Sequence, residues 1–100
     1  MTVGLEWLLA RPELHLRLVT GVAVGRRVTW AHSTDLDDPT PWLTGGELIL
    51  TTGLRLARSA RAQRAYVERL ADAGVTALGF GVGIRYDAIP TAIVDTCAAT

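Results

Sequence analysis

The sequence predicts a single small α/β domain over residues 1–100, with a mixed or partly parallel sheet flanked by helices. Three observations carry that expectation. Strand-like and helix-like periodicities alternate along the chain. The segment "ELILTTG", residues 47–53, is largely apolar on both faces, which a central strand covered on both sides requires. After it comes "SARAQRAYVERLADAG", residues 59–74, a capped helix that leads to a glycine-bearing apolar run, so the order is strand, helix, parallel strand.

From the N-terminus, Val3 to Ala10 reads as a helix with Val3, Trp7 and Ala10 on one stripe. It stops at Arg11-Pro12 because the residue before proline avoids the helical region. In "ELHLRLVTG" strict alternation puts Leu14, Leu16 and Leu18 on one face and His15 and Arg17 on the other, a half-buried strand closed by Gly21. "RRVTWAHS" reads as a second strand with Val28, Trp30 and His32 pointing one way. Trp30 and Trp42, with their large apolar area, are expected in the core or at its lip. Gly45-Gly46 supplies the positive φ of a tight turn into the central strand, and Glu47 at that strand's start accepts backbone N–H bonds or a partner's guanidinium. In the following helix Ser59 is the N-cap, Val67, Leu70 and Ala71 form the core stripe, Arg64 and Glu68 form an i,i+4 pair, and Gly74 lies past the end. "VTALGFGVG" is the fourth strand, parallel to the third, and Pro90 sits where a last helix begins. Ending on that helix leaves one sheet edge without its next strand, so the chain reads as a piece of a longer protein that supplies one.

Ten acidic and ten basic residues give zero net charge, so no long-range field gathers nucleic acid or an anionic membrane to this surface. All ten basic residues are arginine, spread from Arg11 to Arg85 rather than clustered. Cys97 is alone and forms no intrachain disulfide, which suits a reducing compartment. The first residues lack a basic n-region and carry Glu6 within their apolar stretch, and no apolar run approaches the roughly 18–20 residues of a membrane span. A cytoplasmic protein without a membrane partner is expected.

Catalytic and metal chemistry find little support. His32, Ser33 and Asp35 are the residue types of a nucleophilic triad, but neighbours on a strand point to opposite faces, so a satisfied hydrogen bond at a strand end is the expected role of His32. Gly79, Gly81 and Gly83 begin a dinucleotide-like pattern whose third glycine falls on Ile84; small residues that let the strand pack closely against helices explain them better. Two histidines and one cysteine without ligand spacing leave no metal site and no cofactor. Asp35, Asp37 and Asp38 before Pro39 read as a turn or capping cluster. No catalytic residue is assigned.

The run "VTWAHSTDLDDPTPWLTGGELILTTG", residues 28–53, resembles the most characteristic segment of the N-terminal domain of purine catabolism regulator (PucR) family transcription factors. There a W-x-H run leads through D-P-x-x-[WY]-L to G-G-E-L-x-L-T-T-G. Trp30, His32, Ser33, Asp35, Leu36, Asp38-Pro39, Leu43, Gly45-Gly46-Glu47-Leu48 and Leu50-Thr51-Thr52-Gly53 carry the match. "LADAGVTALGFGVG" and "AIP" also fall where the family has a helix ending in A-G, a glycine-bearing strand and a proline-led helix. The resemblance implies a non-enzymatic regulatory module at the N-terminus of a cytoplasmic regulator. Such a module senses a small-molecule effector or contacts another domain in purine or related nitrogen catabolism, acts as a homo-oligomer, and reaches DNA only through a C-terminal helix-turn-helix that this chain lacks. A weaker similarity to the N-terminal domain of Mur ligases supports the fold and supplies an alternative, a nucleotide-substrate domain. The arginine of the D-S-R signature is missing here, however, and Glu47 stands where aspartate follows the glycine pair.

An effector site is expected at Thr51, Thr52 and Gly53, at the C-terminal end of a parallel strand where α/β sheets place ligands, with His32, Ser33 and Arg85 as further contributors. If residues 47–52 and 77–82 run parallel, "TTG" and "GIRY" open to one crevice. Arg85 then meets a carboxylate or phosphate, and the threonines donate to ring carbonyls. The competing reading is that Thr51 and Thr52 only satisfy the strand end and Arg85 is solvated.

Overall fold

The computed structural model describes residues 2–21, 25–36 and 38–99. Strand β1 (Val3–Gly4) runs into helix α1 (Leu5–Leu9) and pairs antiparallel with β2 (Arg27–Val28). A second sheet follows in the order β3 (Trp30–Ser33), β4 (Glu47–Thr51), β5 (Ala77–Phe80), with both pairings parallel. Helix α2 (Ala60–Asp72) connects β4 to β5, and α3 (Thr91–Ala99) follows β5. The small parallel α/β class read from the sequence is therefore the one observed.

Strand β4 is central because both of its faces are apolar. Ile49 is completely buried on one side, among Leu56, Tyr66, Val67, Leu70, Tyr86 and Ile93 from α2, α3 and the loops. Leu48 lies on the other side with Leu5 and Val28. Burying a side chain such as Ile49 contributes about 1.5–3 kcal/mol, so β4 anchors both clusters.

Helix α2 ends where its caps dictate. Ser59 Oγ accepts the Ala62 N–H at 3.1 Å. At the other end Gly74, at φ 81°, donates to Ala71 O while Val75 N–H donates to Leu70 O at 3.1 Å, a Schellman closure that only an easily left-handed residue allows. Gly45 and Gly46, at φ 105° and 84°, make the turn into β4, and Gly46 N–H donates to Gly74 O at 2.8 Å. Glu47 closes the same turn, as its position predicted: its carboxylate accepts Thr44 N–H at 2.7 Å and Gly45 N–H at 2.9 Å while 4% exposed. Gly79 faces Leu50 across the ladder, and a Cβ there would lie 2.6 Å from Leu50 Cδ2, so the glycine admits the neighbouring strand's leucine.

Several expectations are corrected. The first helix is shorter, its buried residue is Leu5, and Trp7 is 52% exposed; five residues offer too little length for the stripe proposed. Leu14, Leu16 and Leu18 do not form a strand. Pro12–Leu14 is a 3-10 turn that ends with His15 at φ 51°, and the following residues lie outside any sheet. "RRVTWAHS" is two strands in two sheets, broken at Thr29, which leaves Val28 buried and Trp30 67% exposed. Trp42 is 70% exposed, so neither tryptophan is a core residue, while Trp30 lines an open groove over Leu48 and Leu50, as the lip alternative has it. On α2 the buried stripe is Gln63, Tyr66, Val67 and Leu70, with Ala71 outside it. Arg64 and Glu68 form no ion pair; the pair observed is Arg69 with Asp38, 3.7 Å apart.

Candidate functional site

Parallel strands send their C-terminal ends to one edge of the sheet, and the loops after β3, β4 and β5 meet there. Thr34 N–H donates to Leu50 O at 2.9 Å, which carries the β3–β4 ladder one residue further and delivers Asp35 to the end of β4. One atom, Asp35 Oδ1, then accepts three hydrogen bonds: from Thr51 Oγ1 at 3.0 Å, Thr52 N–H at 2.8 Å and Thr52 Oγ1 at 2.9 Å. Thr51 Oγ1 in turn accepts the Gly53 N–H at 3.1 Å. The Thr52 backbone bond is the largest influence on Asp35 and lowers its pKa; desolvation opposes it, and the two hydroxyls and the nearby Arg55 add to the lowering. Both threonine hydroxyls are committed to an ionised carboxylate, while Asp35 Oδ2 has no hydrogen bond from the described residues.

Behind this cluster lies Tyr66, 3% exposed, whose buried hydroxyl makes no hydrogen bond of ordinary length to the described residues. Burial raises its pKa, with Thr51, Asp35 and Arg69 among the groups that act on it.

On the β5 side the centre is Tyr86, 8% exposed, whose hydroxyl donates to Leu56 O at 3.0 Å. Arg58 and Arg85 both lie against its ring, at 4.8 and 5.5 Å from the centroid. Arg58 Nη2 donates to Arg85 O at 3.1 Å and Arg85 Nε to Leu56 O at 3.3 Å, so the loops after β4 and β5 are stitched together. Both Nη groups of Arg85 keep their donors, and no carboxylate among the described residues lies within ion-pair distance of it. Gly53 makes the closeness of the two loops possible. At φ 72° it sits where a Cβ would be 2.7 Å from Phe80 Cζ and 3.0 Å from the Tyr86 ring.

Thr51, Thr52 and Gly53 thus stand at the sheet edge, and Arg85 stands on the neighbouring loop. His32 and Ser33 occupy the end of β3, opposite Ile49 and Leu50; His32 is half-buried and Ser33 exposed. The residue whose part sequence reasoning missed is Asp35, weighed there as a triad member, a motif match and an acidic-turn residue but not as the holder of the strand end. Its signal was its place two residues past a strand end, beside a strand that closes on two hydroxyls. Asp38 does cap its turn, accepting from Thr40 Oγ1 at 2.6 Å, and Asp37 lies outside the described residues. Among the described residues no group of three His, Cys, Asp or Glu is placed to hold a metal, and no helix is long and apolar enough to cross a membrane. The open groove of about 510 Å³ is elsewhere, over Leu48 and Leu50 beside α1.

The sequence pattern of the purine catabolism regulatory protein-like family matches residues 7–100. The transcriptional activator PmfR of Paenarthrobacter nicotinovorans is 36% identical over 75 residues, which cover 74% of this chain and 16% of that protein. The chain therefore spans a small part of the length of the curated relative it matches. No solved structure matches it.

Proposed function

The chain belongs to the purine catabolism regulatory protein-like family, and from that membership we propose that it is a non-enzymatic regulatory module of a bacterial transcriptional regulator, one that senses a small molecule at the C-terminal edge of its parallel sheet. Purine or related nitrogen catabolism is the proposed setting, the cytoplasm the proposed location, and a homo-oligomer the proposed state. DNA is reached through another domain of the regulator.

The observation that supports this reading most is the presence of opposite chemistries on the two loops that flank the end of β4. Asp35 Oδ2 is an unused acceptor held in place by three bonds to its sister oxygen. The Arg85 Nη groups are unused donors held by Tyr86 and Leu56. Purines and their ring-opened products present N–H donors beside carbonyl or carboxylate acceptors, which is the complement of an aspartate and an arginine. Thr51 and Thr52 then act through Asp35, orienting it, while Thr52, Gly53, His32 and Ser33 border the site.

Titration of the isotope-labelled chain with purines and their degradation products tests this by amide chemical shift. The expected shifts map to Asp35, Thr52, Gly53 and residues 81–86. Shifts confined to the apolar groove over Leu48 and Leu50 would move the site and refute this location.

A further inference from the structure

Residues 13–18, "ELHLRL", carry strand alternation and are not used as a strand. Leu14, Leu16 and Leu18 are 46%, 37% and 46% exposed, and the backbone of residues 16–20 makes no hydrogen bond with other described residues. Beneath them, among the described residues, the sheet face that bears Leu48 and Leu50 is covered by the five residues of α1 and the β1–β2 pair. The groove of about 510 Å³ is left open there, lined by Leu8, Leu14, Leu16, Trp30 and Leu50 among others. An apolar face this open, next to a segment of strand-like alternation whose backbone is unpaired, is the signature of a surface that completes itself by association.

The occupant is identified by charge. We propose that residues 13–17 pair antiparallel with the same residues of a second copy of this chain, across a two-fold axis at His15. In that register Glu13 faces Arg17 of the second copy, Arg17 faces its Glu13, and Leu14 and Leu16 face each other over the groove. Each copy presents the same patch, as a two-fold interface requires. Cross-strand opposite charges are favourable and like charges unfavourable, and sliding the axis to Leu16 would set Arg17 against His15 and lose both ion pairs. A chain of zero net charge brings no overall repulsion to the encounter. Extension of the segment opens the 3-10 turn, whose two bonds are Leu14 N–H to Arg11 O at 3.2 Å and His15 N–H to Pro12 O at 3.3 Å; because successive N–H groups of a strand point to opposite sides, the ladder between chains replaces one of them and leaves the other to water. It also releases His15 from a left-handed φ that among the described residues no other non-glycine adopts. This proposal rests on the homo-oligomer reading and is independent of effector binding.

Sedimentation equilibrium of the chain and of two charge variants tests it. The wild type dimerises. Glu13→Arg and Arg17→Glu each turn both ion pairs into like-charge pairs and weaken the dimer on the order of tenfold, with unchanged circular dichroism because both side chains are exposed. A mixture of the two variants, in which every pair is again opposite, restores association as a heterodimer. A wild type that stays monomeric across the concentration range, single variants that dimerise like the wild type, or a mixture that fails to recover would each overturn the pairing. In all three cases an effector titration of the chain would still report on the proposed site.

Discussion

Asp35 and Thr52 are joined twice through one atom: Asp35 Oδ1 accepts both the backbone N–H of Thr52 at 2.8 Å and its hydroxyl at 2.9 Å. The end of β3 is thereby locked to the end of β4, beyond the last ladder pair. The bond to Thr51 makes the carboxylate a clamp on the whole strand end.

Replacing Asp35 by alanine should therefore destabilise the fold by about 1–3 kcal/mol, since it strips a charged acceptor from three donors and leaves the buried Thr51 hydroxyl without its acceptor. Asp35→Asn keeps an acceptor oxygen and should lose less. Urea unfolding with an unchanged m-value checks both. If Asp35→Ala unfolds at the wild-type midpoint, the clamp is not structural.

Gly53 and Gly83 give a controlled comparison. Both have positive φ, 72° and 95°, but an added Cβ meets Phe80 and Tyr86 at the first and open space at the second. Gly83→Ala should lose about 1 kcal/mol from backbone strain alone. Gly53→Ala should lose that plus about 1–3 kcal/mol of overpacking. Equal midpoints for the two variants would mean that the loops around Tyr86 yield freely.

Acid should unfold the chain through Glu47 and Asp35. Burial pushes the Glu47 pKa up, but the N–H groups of Thr44, Glu47 itself and Gly45 pull it further down, so it ends below its ordinary value, as Asp35 also does. With folded pKa values below unfolded ones, the unfolded chain binds protons first. The stabilisation is complete above the ordinary carboxylate range, about 4–4.5, and is lost as pH falls through and below it. Glu47→Gln should lower stability at neutral pH by about 1–2 kcal/mol and flatten the acid limb. A parallel acid limb in that variant would remove Glu47 from the transition.

Duplex DNA should not be bound by this chain alone, because zero net charge releases few counterions. Fluorescence anisotropy at low salt checks this, and salt-sensitive micromolar binding would contradict it.

What the sequence made legible was whatever a single element states about itself. The β4 run shows its two-sided burial, α2 shows its Ser59 cap and Gly74 stop, and Gly45-Gly46 shows its turn. What it hid depends on neighbours. Alternation in residues 14–18 says that one face is apolar without saying whether a partner strand exists within the chain. Trp30 carries an apolar area that the edge position of β3 leaves exposed. The site was half legible for the same reason. Thr51, Thr52 and Gly53 are marked by their place at a strand end, whereas the part played by Asp35 appears only when β3 lies beside β4. The platform of Tyr86 with Arg58 and Arg85 appears only when two loops separated by 27 residues in sequence meet.

The most direct test of the sensing role is the melting temperature of the chain across increasing concentrations of purines and their degradation products, in the wild type and in Arg85→Ala. A ligand that binds only the folded state raises the midpoint continuously with its concentration, by about 2.7 kcal/mol of added stability at a hundredfold excess over Kd. The account predicts such a rise for at least one compound, without turnover of it, and its loss in Arg85→Ala. A wild-type midpoint that stays flat for every compound, or a rise that Arg85→Ala preserves in full, would contradict it.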